Sequence, residues 1–223
     1  MRLGFVLARE NKHEQALEHF RTVKVNNDQQ QSLLIQAQSE LYQDQKKYNQ
    51  ALEIYNVALA ESGAQKLGAN LKEELLYSRA MLAEKMDRLD ILEADLVAII
   101  DNNPNHSQAL NALGYTLADR TQRYDEAYNY IQRALELNPD DFYIMDSMGW
   151  VLYRMGRLDE AVDYLQKAMT LRNDPEIAAH LGEVLWVKGD RQAAEKIWDT
   201  ALEQTPDDTR LLNVIERFKK KNL

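Results

Sequence analysis

Across 223 residues, 36 Asp and Glu outnumber 27 Lys and Arg, giving a formal net charge of −9, and cysteine is absent. The acidic balance repels a phosphate backbone and argues against nucleic-acid partners, while the missing thiols remove disulfides, thiolate zinc sites and cysteine nucleophiles together. Apolar residues make up 45% of the chain, enough for a core, yet no apolar run approaches the roughly 18 residues of a membrane span.

The opening residues, MRLGFVLARENKHEQ, read as a helix: the apolar stretch is too short for a signal peptide and no small-residue cleavage site follows it. Gly4, Ala16 and Phe20 mark a first unit at 1–27, and Ala51, Tyr55 and Ala58 a second at 30–62. Leu92, Leu96, Ile99 and Pro104 end a third at 69–104. The step from Ala51 to Leu92 is 41 residues against about 35 elsewhere, so residues 62–70, SGAQKLGAN, are predicted to form an inserted loop.

Three further units, at 105–139, 140–173 and 174–206, repeat most clearly. Gly114, Gly149 and Gly182 are spaced 35 and 33; Ala127, Ala161 and Ala194 follow at 34 and 33, as do Ala134, Ala168 and Ala201. Between them stand Leu113, Ile131 and Pro139, then Met148 and Leu165, then Leu181, Trp198 and Pro206. The middle unit has Asn173 in place of the closing Pro, and Pro175 is predicted to open the next helix. Residues 207–221 begin with acids and end with bases, the polarity that complements a helix dipole, and read as a capping helix. The basic run Arg217 to Lys221 is its last turn.

A helix-interior Gly costs about 1 kcal/mol against Ala, so its recurrence at one phase implies a helix packed close against it. The Leu-Gly, Ala, large apolar, Ala, Pro pattern resembles the tetratricopeptide repeat. That resemblance implies an all-α fold: a single helix-turn-helix solenoid over 1–223, right-handed, of about six repeats plus the capping helix. Leu3 and Gly4 already hold late positions of a first helix, so the chain is expected to be a fragment of a longer protein.

Catalytic signals are missing. Residues 63–70, GAQKLGAN, have the glycine spacing of a phosphate loop, but Ala69 and Asn70 stand where Lys and Ser or Thr would hold phosphate and magnesium. His13 and His19 lie six residues apart, on different helical faces, and neither they nor His106 and His180 have neighbours at metal-ligand spacing. Carboxylate pairs such as Asp140 and Asp141, Asp159 and Glu160, and Asp207 and Asp208 fall at helix starts, where anions complement the dipole. No enzyme, cofactor or metal is expected within this chain.

The resemblance implies a partner-binding inner surface lined by the second, fifth, ninth and twelfth to thirteenth residues of each first helix, with the Gly counted as eighth. Those positions are Tyr77, Met81 and Glu84; Gln108, Asn111, Tyr115 and Asp119; Tyr143, Asp146, Trp150, Tyr153 and Arg154; and Glu176, Ala179, Glu183 and Trp186. Tyr115, Tyr143, Trp150, Tyr153 and Trp186 are the candidate anchors, since large amphipathic rings dominate protein interfaces. Asp146, Arg154 and Glu183 among them suggest polar selectivity. Trp150 and Trp186 read equally as inter-repeat core. The ninth positions, Met81, Tyr115, Trp150 and Glu183, lack the Lys, Asn and Arg clamp with which family members grip chaperone tails.

From Ala109 to Phe218, through ALNALGYTLADR, DSMGWVLYRMGRLDEAVDYLQKAM and EIAAHLGEVLWVKGD, the chain is similar to the C-terminal part of long proteobacterial tetratricopeptide lipoproteins. Some of these are outer-membrane adaptors for a periplasmic C-terminal processing protease. The resemblance implies an adaptor that faces the periplasm, is tethered to the outer membrane by an N-terminal lipid, and binds the protease and its protein substrates. A cytoplasmic scaffold and a regulatory segment of a larger enzyme are the alternatives, and homo-oligomerisation is left open.

Overall fold

A computed structural model describes residues 1–61 and 68–220. The predicted loop at 62–70 and the near-miss phosphate loop therefore lie, up to residue 67, outside the described residues. Among those described there are 13 α-helices and no strand. Six pairs and a closing helix make up the series, and the expectation of an all-α tetratricopeptide fold is met. The chain divides into two compact units, Met1–Pro104 and Asn105–Leu223.

The first unit holds α1 (Arg2–Arg9), α2 (His13–Thr22), α3 (Asp28–Asp44), α4 (Tyr48–Glu61), α5 (Ala69–Lys85) and α6 (Leu89–Asn102). Each odd-numbered helix packs on the even-numbered helix that follows it. Leu71, Leu75 and Leu82 pack with Ala51, Leu52 and Tyr55 in one cluster, and Ala16, Leu17 and Phe20 with Ala37 and Leu41 in another. One charged contact is buried here. Arg79 donates to both oxygens of Asp95, at 2.8 and 2.6 Å, and to Asn56 Oδ1 at 2.9 Å, tying α4, α5 and α6 together.

The second unit holds α7 (Ser107–Arg120), α8 (Tyr124–Leu137), α9 (Phe142–Arg154), α10 (Leu158–Leu171), α11 (Pro175–Lys188), α12 (Arg191–Gln204) and α13 (Thr209–Lys220). Its helix starts explain several carboxylates: Asp141, Asp174 and Asp208 each accept a hydrogen bond from the backbone of the helix they precede. Pro175 opens α11 as expected. Asn173, standing where the closing Pro was expected, donates to Gln204 Oε1 at 2.8 Å.

The glycine phase has its physical cause in this unit. A methyl group on Gly149 would lie 2.5 Å from Leu165 Cγ, and one on Gly114 would lie 2.6 Å from Ile131 Cγ1; Gly182 faces Trp198 in the same way. The first helix of each pair thus approaches the large apolar residue of the second with only a hydrogen between them. The turn inside a pair has its own requirement. Asn11, Lys46, Asp87, Gly156 and Gly189 all occupy it with positive φ, from 57° at Lys46 to 104° at Gly189. In the α7–α8 pair Thr121 is extended instead, and its hydroxyl accepts from the Arg123 N–H at 3.0 Å.

Candidate protein-binding face

In the second unit α7 contacts α9, α9 contacts α11, and α11 contacts α13. The helices α8, α10 and α12 lie behind, each paired with the helix before it. The first-helix positions expected to line an inner surface therefore share one layer, with α13 completing it. Tyr77 belongs to the first unit, half-buried on α5, where burial and then the charge of Glu84 raise its pKa.

At the centre of the layer lies a side chain that repeat spacing alone does not single out. His180 on α11 is buried, with Nδ1 2.9 and 3.0 Å from the two oxygens of Asp146 on α9. Its ring stacks on Trp150, centroids 4.2 Å apart at 25°, and lies 6.2 Å from the Tyr115 ring on α7. Trp150 is only 7% exposed, and among the described residues its Nε1 has no hydrogen-bond partner; the Oδ1 of Asn111 is likewise buried and unpartnered among them. Trp150 is thus chiefly inter-repeat core, and its neighbour Tyr153, 5.2 Å away ring to ring, is the more accessible of the two.

A second network runs beside the first. Tyr153 Oη donates to Glu183 Oε1 at 3.1 Å, and Arg217 on α13 donates to the other oxygen of the same carboxylate. Burial and then the adjacent charge of Glu183 push the Tyr153 phenol up to about 12, so its proton stays in place. Arg154 is also committed: it donates to the Asp119 carbonyl at 2.9 Å and to the Tyr124 hydroxyl at 3.1 Å, with its guanidinium 5.3 Å from the Tyr124 ring centroid. Arg210 of α13 pairs with Glu176.

Not all five candidate rings meet. Trp150 and Tyr153 touch, and both Trp150 and Tyr115 neighbour His180. Trp186 turns to a separate group, stacked on Trp198 at 5.6 Å and tilted against Phe218 at 6.1 Å, with Arg191 over its ring. Tyr143 packs on Phe142 at the start of α9 and is 53% exposed, the most open ring of the set. Missing from the expected set were His180, Arg210 and Arg217. The signal for all three is charge one repeat period away: Asp146, Glu176 and Glu183 each stand 34 residues before their partner.

Helix pairs stacked through glycine and alanine contacts, with no strand among the described residues, define a helical-repeat protein built to present a surface. Residues 105–174 and 152–217 match models of the tetratricopeptide repeat and residues 41–60 match another, together more than half of the chain. The chain is a tetratricopeptide-repeat protein, and such repeats are scaffolds for protein–protein contact.

Over 109 residues, 49% of its length, the chain is 51% identical to the TPR repeat-containing protein PA4667 of Pseudomonas aeruginosa, and the match spans 18% of that relative. Among solved structures, a tetratricopeptide repeat protein from Parabacteroides merdae superposes with a TM-score of 0.79 at 17% identity, over 99% of this chain and 84% of that one. The thermophilic TPR protein TTC0263 of Thermus thermophilus gives 0.67 at 22% identity, over 85% and 97%. At those identities the likeness is one of fold. Among the described residues no helix is long and apolar enough to cross a membrane, and no group of three or more His, Asp or Glu is arranged to hold a metal.

Proposed function

We propose that the α7–α9–α11 face of the second unit holds a segment of a partner protein, with Tyr143 and Tyr153 as its anchors and Asn111 and Tyr115 beside them. The observation that carries this reading is the exposure of aromatic edge on a rigid floor. Trp150, His180 and Asp146 are packed together beneath, while Tyr143 stands open and Tyr115 and Tyr153 are partly exposed. Rings held on an ordered base contribute contact area at small entropic cost, which is how interface anchors act.

For the whole protein, the reading is an adaptor for a periplasmic C-terminal processing protease and its substrates, tethered to the outer membrane through an N-terminal lipid. Its support is the similarity of Ala109 to Phe218 to proteobacterial tetratricopeptide lipoproteins. The test is capture of a purified C-terminal processing protease by the immobilised chain. The wild type is compared with a Tyr143→Ala, Tyr153→Ala double variant of unchanged melting temperature. Retention by the wild type alone supports both readings. Absence of any retention removes the protease, and equal retention by the variant removes this face.

A further inference from the structure

In the first unit α2 ends at Thr22 after 10 residues, whereas α4, α6, α8, α10 and α12 each run for 14. Residues 23–27 replace the missing turn. The stretch is extended at both ends, with ψ of 124° at Val23 and 165° at Asn27, and among the described residues neither Lys24 nor Val25 makes a hydrogen bond. Beside Val25 a cleft of about 410 Å³ opens over α3 and α4, within the roughly 300–1,000 Å³ typical of binding sites. Its floor is apolar, formed by Leu34, Ile35, Ile54 and Val57, the last 45% exposed. Gln31, Gln38 and Gln50 border it, and among the described residues none of these three side chains is hydrogen-bonded. Gln36 and Gln43 of the same α3, by contrast, donate to Ser32 and Ser39. Gln38 also departs from the repeat. Ser39 stands 12 residues before Ala51, as Gly149 stands before Ala161, so Gln38 takes the position held elsewhere by Leu113, Met148 and Leu181. Those three are buried, while Gln38 is partly exposed. In the equivalent cleft between α10 and α12, Leu181 and Ala193 stand where the first unit has Gln38 and Gln50.

A carboxamide both donates and accepts, as a peptide unit does, and an unpaired one beside an apolar floor is stabilised by meeting such a unit. A helical occupant bonds its backbone internally and offers the glutamines only side chains, whereas an extended chain presents an N–H and a C=O at every residue. No Lys, Arg or His borders the cleft, so a phosphate or carboxylate ligand finds no counter-charge there. From this match we propose that the cleft is a second docking site, independent of the reading of the second unit, and that its occupant is an extended stretch of another protein. The backbone of that stretch bonds to Gln31, Gln38 and Gln50 and to the open backbone at Val25, in the manner of an added strand. Its apolar side chains rest on Leu34, Ile35 and Ile54. Glu53, exposed at the rim, is the single charge among the bordering residues; it favours a basic over an acidic flanking residue in the occupant.

The test is selection from a displayed library of random peptides on the full chain. Enriched peptides are then titrated against wild type, a Gln38→Leu, Gln50→Ala double variant and Tyr143→Ala. The double variant installs the residues of the equivalent cleft in the second unit, and Val57→Lys, a change at an exposed site, is a second probe of the same cleft. The expected result is a class of peptides rich in aliphatic and β-branched residues whose Kd rises at least about tenfold with the double variant and with Val57→Lys. N-methylation of a central backbone amide in the peptide should weaken binding as much, and Tyr143→Ala should leave it unchanged. Failure to enrich any peptide over bare resin, or enriched peptides that all bind both cleft variants as tightly as wild type, would overturn the proposal. Peptides that depend on the cleft but tolerate N-methylation throughout would overturn the extended backbone. Wild type that sediments as a dimer, with the double variant monomeric, would assign the cleft to a second copy of this chain and overturn the proposed partner.

Discussion

Asp146 and His180 stand 34 residues apart, one repeat period, and meet across two neighbouring first helices with both carboxylate oxygens within 3.0 Å of Nδ1. Glu176 with Arg210 and Glu183 with Arg217 show the same interval. The period that stacks apolar side chains thus also pairs charges. In the second unit α7, α9 and α11 each offer a carboxylate that the next first helix, or α13, answers with a cation.

The Asp146–His180 contact has a definite pH signature. Burial opposes the imidazolium, but the charge and hydrogen bond of Asp146 outweigh it, with Glu176 and Glu183 adding, and the His180 pKa is raised above 6.5. A raised folded-state pKa contributes stability that is complete below the unfolded value and is lost as pH rises through the folded one. The melting-temperature advantage of wild type over His180→Gln should therefore be full below the ordinary imidazole value and shrink as pH rises through the raised folded-state value into the alkaline range. An advantage that is constant across that range would mean the pair is not ionic.

Arg217 joins α13 to the repeat before it. Its removal leaves the buried Glu183 carboxylate with only the Tyr153 hydroxyl, and because Arg217 itself is half-exposed the cost is expected between that of an exposed pair and that of a broken buried pair, about 1–2 kcal/mol. Arg217→Ala should speed hydrogen exchange in α13 first, leaving α7 and α8 protected. Uniform acceleration throughout the unit would contradict a local role.

Gly149→Ala puts a methyl group against Leu165 and the Ala161 carbonyl, and overpacking of this kind costs about 1–3 kcal/mol. Adding Leu165→Ala should recover part of that loss, giving a coupling of at least about 0.5 kcal/mol in a double-mutant cycle by chemical denaturation. Strict additivity would show that the two positions do not meet.

Lys46 takes φ of 57° at the turn between α3 and α4, where the equivalent positions at 156 and 189 are Gly. Its side chain is exposed, so Lys46→Gly removes a left-handed conformation without removing packing, and should stabilise the chain by about 0.5–1 kcal/mol. A lower denaturation midpoint would contradict this.

Much of the fold was legible because its rules act within a repeat. The spacing from Gly149 to Leu165 is the spacing of two helices joined by a tight turn, and it recurs. Relations between repeats were harder to read. Trp150 reads equally as groove or core until His180, from the next repeat, is found stacked upon it. Arg154 was expected to confer selectivity, but it braces Asp119 and Tyr124. Trp186 was placed with the other rings, but α13 supplies Phe218 beside it and draws it into another cluster. In each case the deciding partner lies about one period away, where a comb of small and apolar residues carries no sign of charge or ring stacking. A comparison of opposite charges at that interval recovers His180, Arg210 and Arg217.

The central claim, that the first-helix face of the second unit holds a partner protein, is tested most directly by position-specific photocrosslinking in bacterial envelope extract. A benzoylphenylalanine replaces Tyr143 on α9 in one variant and the exposed Gln166 on α10 in another. The account predicts a discrete protein adduct at position 143 that disappears when Tyr153→Ala is added, and none at position 166. Adducts of equal yield at both positions, or an adduct at 166 alone, would contradict it.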